Sequence, residues 1–84
     1  MEVLKIKKVQ ENAVIPKRAT EGSAGLDLCA CIDAPLTLNS GDTALIPTGL
    51  AIELPSSQYG AFVFARSGLS IKHGIGLLNA VGVI

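Results

Sequence analysis

Short apolar runs separated by turn residues make up most of the chain. Leu4 and Ile6 alternate with Lys5 and Lys7, which is the period of a half-buried strand. No segment sustains an apolar repeat of about 3.6 residues, so the pattern does not predict a helical domain. The predicted strands are residues 4–7, 25–31, 36–38, 44–46, 51–54, 59–64, 75–78 and 81–84.

The segments between these strands have the chemistry of turns. Asn39-Ser40-Gly41-Asp42 combines residues that are preferred in hairpin turns, and residues 16–23 are predicted as a polar loop. Short strands spaced by roughly ten residues are typical of a β-sandwich or jelly roll. We therefore expect residues 1–84 to form a single all-β domain. Because the chain stops inside the apolar run 81–84, we expect this domain to be incomplete, with later parts beyond Ile84.

The composition narrows the possible functions. Seven basic and seven acidic side chains give no net charge, whereas a general nucleic-acid binder usually has a basic excess. No apolar run approaches the ~18 residues of a membrane span, and the start of the chain does not resemble a signal peptide. Two cysteines without a disulfide framework are typical of a reducing compartment. We expect a soluble, cytoplasmic protein with no nucleic-acid or membrane partner.

Asp27 is the first candidate for chemistry. It is a carboxylate within the otherwise apolar segment 25–31, where a charge is unfavourable unless it is paired, hydrogen-bonded or near a metal. Gly25 indicates a bulge or a close approach of the backbone. The simpler interpretation is an aspartate on the solvent-facing side of a strand. The sequence around Asp27 alone does not decide between a functional carboxylate and a solvent-facing one.

The second candidate is Arg66-Ser67-Gly68, which follows a predicted strand. A guanidinium, a hydroxyl and backbone N–H groups can bind one anion together, and a helical turn over residues 69–72 would add a favourable dipole. Alternatively, Ser67 only caps that turn. His73 is the single histidine, and nothing in the sequence makes it part of a nucleophilic pair or, with so few His and Cys residues, of a zinc site.

Several segments of the chain match, in order and spacing, the motifs of one known family. They are Ala24-Gly25-Leu26-Asp27-Leu28, residues 46–55, Arg66-Ser67-Gly68-Leu69, Lys72-His73-Gly74-Ile75 and residues 79–84. In these segments, which cover nearly the whole chain, the sequence resembles the dUTPases and their bacterial branch in particular. The resemblance implies a trimeric jelly-roll enzyme that hydrolyses dUTP to dUMP and pyrophosphate. Such an enzyme controls the dUTP level and supplies dUMP for thymidylate synthesis.

The resemblance also implies roles for the two candidates. Asp27 belongs to the first motif and would hold the water shell of a Mg²⁺ ion bound to the triphosphate, a mode that suits a cation which keeps several waters. Arg66, Ser67 and Gly68 match the second motif, whose side chains and amides hold the substrate phosphates. In the family, three subunits contribute different motifs to every site, so we expect a homotrimer.

A third set of residues would bind the base. Asn79, Val83 and Ile84 match the start of the third motif, a hairpin whose backbone pairs with the uracil edge. In the family, an aspartate that activates the attacking water directly follows this Val-Ile pair, and here it would lie beyond Ile84. The fourth motif and the closing carboxy-terminal motif would lie beyond Ile84 as well. The resemblance thus implies no catalytic residue within the 84 residues, and we expect this chain alone to be inactive.

Two alternatives remain for the complete protein. A dCTP deaminase resembles this family and has a related phosphate-binding segment, although the spacing of residues 79–84 disfavours it. A non-catalytic nucleotide-binding or regulatory trimer is the alternative from another class. The residue after Ile84 discriminates here, because an aspartate at that position favours the enzyme.

Overall fold

The computed structural model describes residues 2–84, which contain four short strands and one short helix. In chain order they are β1 (Lys5–Lys8), β2 (Leu50–Glu53), β3 (Phe62–Phe64), α1 (Ser67–His73) and β4 (Val81–Val83). The strands form two antiparallel pairs, β1 with β2 and β3 with β4. The predicted all-β class is confirmed. No helix among residues 2–84 is long and apolar enough to cross a membrane.

The chain divides into two compact units, each with one strand pair. The first unit is Leu4–Glu53, with β1 and β2, and the second contains Leu54–Ile84, with β3, α1 and β4. The expectation that residues 1–84 belong to one domain stays a prediction.

Strand β1 lies where the alternation of Leu4 to Lys7 predicts a strand, and Ile6 is its half-buried residue. Its register on β2 places Lys5 opposite Glu53 and Ile6 opposite Ile52. The Lys5 Nζ lies 3.8 Å from the Glu53 Oε1, and both side chains are largely exposed. An exposed ion pair of this kind stabilises a protein by only ~0.2–1 kcal/mol, so its contribution to the stability of the sheet is small.

Gly49 is buried and closely packed within the first unit. Its φ of +69° is in the left-handed region, and a Cβ at this position would lie 2.9 Å from both the Ala13 Cβ and the Cys31 Sγ. Ala13 and Cys31 are the buried hydrophobic residues of the described chain. The Gly49 carbonyl also accepts a hydrogen bond from the Val9 N–H at 2.8 Å. Backbone conformation and lack of space therefore both require glycine here.

Four of the predicted strands are confirmed, and four are wrong. Segments 4–7, 51–54, 59–64 and 81–84 correspond to β1 to β4 with shifted ends, whereas 25–31, 36–38, 44–46 and 75–78 are not strands. The segment 25–31 makes isolated bonds instead, from the Asp27 N–H to the Lys17 carbonyl (3.1 Å) and from the Cys31 N–H to the Pro47 carbonyl (2.7 Å). A strand needs a ladder of such bonds, and side-chain alternation does not report whether a neighbouring strand is present to provide it.

The turn at residues 39–42 is confirmed without its flanking strands. The Asp42 N–H donates to the Asn39 carbonyl at 2.9 Å, and the Asn39 N–H donates to the Asp42 Oδ2 at 3.0 Å. Gly41 has a φ of +84°, which a residue with a side chain rarely adopts. Local turn chemistry is therefore sufficient to form this turn.

Candidate functional site

Asp27 lies at the end of a closed loop in the first unit. Its N–H donates to the Lys17 carbonyl, and the two residues form an isolated antiparallel bridge. The residue is half-buried, whereas its apolar neighbours Leu26 and Leu28 are exposed. Asp27 is thus not an aspartate on the open face of a regular strand, which corrects the simpler interpretation of the sequence. The bridge fixes its backbone at the base of the loop.

The residues around Asp27 do not form a complete protein site for a metal. Among residues 2–84 there is no group of three or more His, Cys, Asp or Glu side chains that could hold a metal ion. A single half-buried carboxylate fits a cation that takes most of its ligands from water and from a phosphate. Mg²⁺ binds in this way, because it dehydrates reluctantly and is usually held through one or two carboxylates.

Arg66-Ser67-Gly68 forms the junction between β3 and α1. Arg66 is the N-cap of α1 in extended backbone (φ −77°, ψ 133°), and the helix begins at Ser67. The interpretation of Ser67 as the capping residue is wrong, since no side-chain cap hydrogen bond is formed and Ser67 is already helical. The helical turn at 69–72, given as a condition in the interpretation of the sequence, lies within α1. The amides of a first helical turn have no carbonyl partner within the helix, so they can donate to an external group.

The end of α1 is held by local hydrogen bonds. Gly74 takes the left-handed conformation (φ 65°), and its N–H donates to the Ser70 carbonyl at 3.1 Å. The Ser70 Oγ donates to the Ile75 carbonyl at 2.9 Å. His73 is exposed and lies in the last turn. The Ser70 hydroxyl thus helps to hold the carboxy-terminal end of α1.

Val83 and Ile84 differ in how their backbone groups are used. Ile84 exchanges two hydrogen bonds with Ala61, at 2.9 Å and 3.2 Å. Paired residues of an antiparallel ladder alternate between those that exchange bonds and those that do not, so Val83, opposite Phe62, directs its N–H and C=O away from β3. Within residues 2–84 no further strand pairs with that edge of β4. Val83 therefore presents one donor and one acceptor at an open strand edge.

Asn79 lies at the tight turn that enters β4. Its carbonyl accepts a hydrogen bond from the Val81 N–H at 2.7 Å, and Ala80 between them has a φ of +64°. A Cβ added to Gly82 would lie 3.2 Å from the Val63 Cβ and 3.6 Å from the Asn79 Nδ2. The tighter of these two contacts is the one with Val63 on the neighbouring strand, and the contact with Asn79 would be an ordinary van der Waals contact.

The structure places the predicted site residues in three regions. Phe64 pairs with Val81, so Arg66, two residues beyond β3, and Asn79, two residues before β4, lie at the same end of the strand pair. Val83 and Ile84 lie at the other end, and Asp27 belongs to the first unit. A depression of about 300 Å³ lies elsewhere, on β1 and β2, and none of the predicted site residues lines it.

Comparison with known proteins gives the class of this all-β chain. The sequence profile described as dUTPase matches residues 11–84. The chain belongs to the dUTPase family.

Three bacterial relatives illustrate the match. Proteins named deoxyuridine 5'-triphosphate nucleotidohydrolase in Burkholderia mallei (strain SAVP1), Burkholderia pseudomallei (strain K96243) and Burkholderia multivorans are each 59% identical to the chain over 81 residues. The match covers 96% of this chain and 55% of each relative. The chain thus spans about half the length of these relatives.

The sequence interpretation did not single out the side chains that close the loop before Asp27. Thr20 and Ser23 are hydrogen-bonded to each other, and the Arg18 Nε donates to the Ser23 carbonyl. The available signal was the spacing of two hydroxyl residues within a polar loop, since Ser and Thr bond to nearby backbone in turns. The presence of Ser and Thr in the loop does not predict the backbone bridge between Lys17 and Asp27.

Proposed function

We propose that the full-length protein, meaning the polypeptide that carries this sequence at the length of its relatives, hydrolyses dUTP to dUMP and pyrophosphate. The observation that carries the proposal is membership of the dUTPase family together with 59% identity to proteins named as dUTP nucleotidohydrolases. Such an enzyme limits dUTP and supplies dUMP for thymidylate synthesis. A cytoplasmic location follows from the same role.

Arg66, Ser67 and Gly68 are proposed to bind the phosphates. Arg66 is the N-cap residue of α1, and it directly precedes Ser67 and the amides of the first helical turn in the chain. Hydrogen bonds to charged groups contribute ~1.5–3 kcal/mol each, so an arginine next to the amides of a first helical turn can contribute strongly to phosphate binding. The absence of a side chain at Gly68 leaves open space above the turn for an oxygen of the triphosphate.

Asp27 is proposed to hold the water shell of Mg²⁺ on the triphosphate. When it is bound there, Mg²⁺ offsets charge on the phosphate oxygens. The task of Asp27 is to accept hydrogen bonds from the metal's waters, which a carboxylate does through two oxygens. The backbone bridge to Lys17 holds the residue in place for this task.

Asn79, Val83 and Ile84 are proposed to recognise the base. The N–H and C=O of Val83 at the open edge of β4 can pair with the alternating acceptors and donor of a uracil edge. The backbone of Ile84 is already bonded to Ala61, so this residue would contribute its exposed side chain. A pocket of fixed donors and acceptors rejects cytosine because its edge leaves buried polar groups unpaired.

The proposed reaction is an in-line attack of water on the α-phosphorus. The new P–O bond forms as the bond to the bridging oxygen breaks, and pyrophosphate leaves with the electron pair. The attacking water loses its proton to the aspartate expected directly after Ile84. Arg66 stabilises the charge that develops on the phosphates in the transition state. No residue of this chain is proposed as the base.

A homotrimer is proposed for the full-length protein, with Arg66 and Asn79 of one chain serving different sites. An equal mixture of Arg66→Ala and Asn79→Ala subunits, unfolded and refolded together, should then recover about a quarter of the wild-type activity, because that fraction of sites draws both residues from intact subunits. Activity assays on the mixture, with light scattering for the mass, check this. A fully active monomer, or a mixture as inactive as its parts, would contradict the proposal.

The products distinguish this proposal from its rivals. A dCTP deaminase would release ammonia from dCTP, and a binding or regulatory trimer would bind dUTP without turning it over. Pyrophosphate release from dUTP with Mg²⁺, and no ammonia from dCTP, is the expected result.

A further inference from the structure

The loop from Lys17 to Asp27 is closed at two levels. At its base, the Asp27 N–H donates to the Lys17 carbonyl at 3.1 Å. Nearer its tip, the Thr20 N–H donates to the Ser23 Oγ at 3.1 Å, the two hydroxyl oxygens lie 2.8 Å apart, and the Ser23 N–H donates to the Thr20 carbonyl at 3.1 Å. The Arg18 Nε adds a bond to the Ser23 carbonyl at 3.1 Å. Every one of these contacts between residues 18 and 23 involves Ser23.

This hydrogen-bond network lies in a loop that is mostly exposed to solvent. Residues 17–22 and 24–26 are exposed, whereas Ser23 and Asp27 are half-buried. An exposed loop without an apolar anchor normally samples many conformations, because ordering each residue costs roughly 1–2 kcal/mol in backbone entropy. Here the side chains of Thr20, Ser23 and Arg18 replace the missing apolar anchor. The loop therefore reaches the bridge at Asp27 with a defined geometry.

We infer that Thr20 and Ser23 are positioning residues that set where the Asp27 carboxylate stands relative to the metal-bound triphosphate. The inference rests on the proposed function of Asp27. Neither hydroxyl is proposed to contact the substrate, and both act by ordering the loop that ends at Asp27. Residues that orient a metal-binding group typically change metal affinity by ~10–100-fold when they are removed.

The test compares Ser23→Ala and Thr20→Val in the full-length protein with Ser40→Ala as a matched control in an exposed turn. We expect the Mg²⁺ concentration for half-maximal activity to rise by about tenfold in the first two variants. Binding of dUMP, which lacks the pyrophosphate group, should stay within about twofold of the wild type, and Ser40→Ala should behave as the wild type. Ser23→Thr, which keeps the hydroxyl, should restore the Mg²⁺ dependence.

A readout without turnover accompanies the kinetics. Amide hydrogen exchange at Asp27 should accelerate by about tenfold in Ser23→Ala, because the bridge opens more often once the loop is loosened. Unchanged exchange and unchanged Mg²⁺ dependence in both variants would overturn the inference. If a variant is globally destabilised, exchange rises throughout the first unit rather than at residues 17–27, and this outcome also contradicts a local positioning role.

Asp27→Asn separates this inference from the function on which it rests. If Asp27→Asn leaves the Mg²⁺ dependence unchanged, the proposed role of Asp27 fails. If Asp27→Asn alters the dependence and the Thr20 and Ser23 variants do not, only the positioning role fails.

Discussion

The isolated chain of residues 1–84 is expected to release pyrophosphate from dUTP no faster than the uncatalysed background. The base that accepts the water's proton is expected beyond Ile84, and positioned acid–base groups contribute ~10²–10⁴-fold to a rate. Glu53 does not replace it, since its carboxylate pairs with Lys5 on the β1–β2 sheet. Asp27 does not replace the base either, since its proposed role is to hold the water shell of Mg²⁺ on the triphosphate. Turnover by the isolated chain near that of the full-length protein would mean that the base lies within these residues.

Instability of the isolated chain should lower its activity further. Residues 2–84 bury two hydrophobic side chains, Ala13 and Cys31, while Leu45 is fully exposed and Phe64 and Val83 are 67% and 73% exposed. Exposed apolar surface and an unpaired strand edge favour aggregation. Measuring turnover together with circular dichroism and light scattering separates an inactive folded chain from an aggregated one. In either case no pyrophosphate above background is expected.

Arg66→Ala in the full-length protein is expected to lower kcat/KM for dUTP by about tenfold or more. The substitution removes charge-assisted hydrogen bonds to the triphosphate, each worth ~1.5–3 kcal/mol. Arg66→Lys should recover only part of the loss, since an ammonium keeps the charge but not the planar fork. Ser67→Ala should also lower activity, because its hydroxyl is proposed to bind the phosphates, and thermal stability should change little because Ser67 does not cap α1.

The controls for Arg66 are chosen to isolate the phosphate contact. Lys7→Ala removes an exposed positive charge on β1 and should leave kcat/KM unchanged. Thermal unfolding of Arg66→Ala should stay close to that of the wild type, which excludes a general loss of structure. A decrease in kcat/KM of less than about twofold would show that Arg66 does not bind the phosphates in the transition state.

The sequence predicted well those features that depend on local chemistry. Alternation of Lys and apolar residues predicted β1, the composition of residues 39–42 predicted a turn, and the helical turn after Arg66 became α1. These features form because neighbouring residues already prefer the observed backbone. The same local reasoning selected Arg66-Ser67-Gly68, which forms the N-cap and the start of α1 shortly after β3, in agreement with its expected place after a strand.

Features that depend on distant partners could not be predicted in this way. Residues 25–31 alternate as a strand does, but their backbone hydrogen bonds to Lys17 and Pro47 are isolated and do not form a ladder. The close approach of Gly49 to Ala13 and Cys31 joins segments that are far apart in the sequence, and no local sequence pattern predicts this contact. The difference between Val83 and Ile84 depends on register against β3, which sequence periodicity leaves open. Pairing and register are tertiary properties, and alternation alone does not determine them.

The central claim is tested most directly by following the oxygen of the attacking water. The full-length protein is incubated with dUTP and Mg²⁺ in ¹⁸O-labelled water, and the products are analysed by mass spectrometry. Attack on the α-phosphorus predicts equal amounts of dUMP and pyrophosphate, with one labelled oxygen in dUMP and none in pyrophosphate. Labelled pyrophosphate, release of dUDP and phosphate, or binding of dUTP without any turnover would contradict the proposed function.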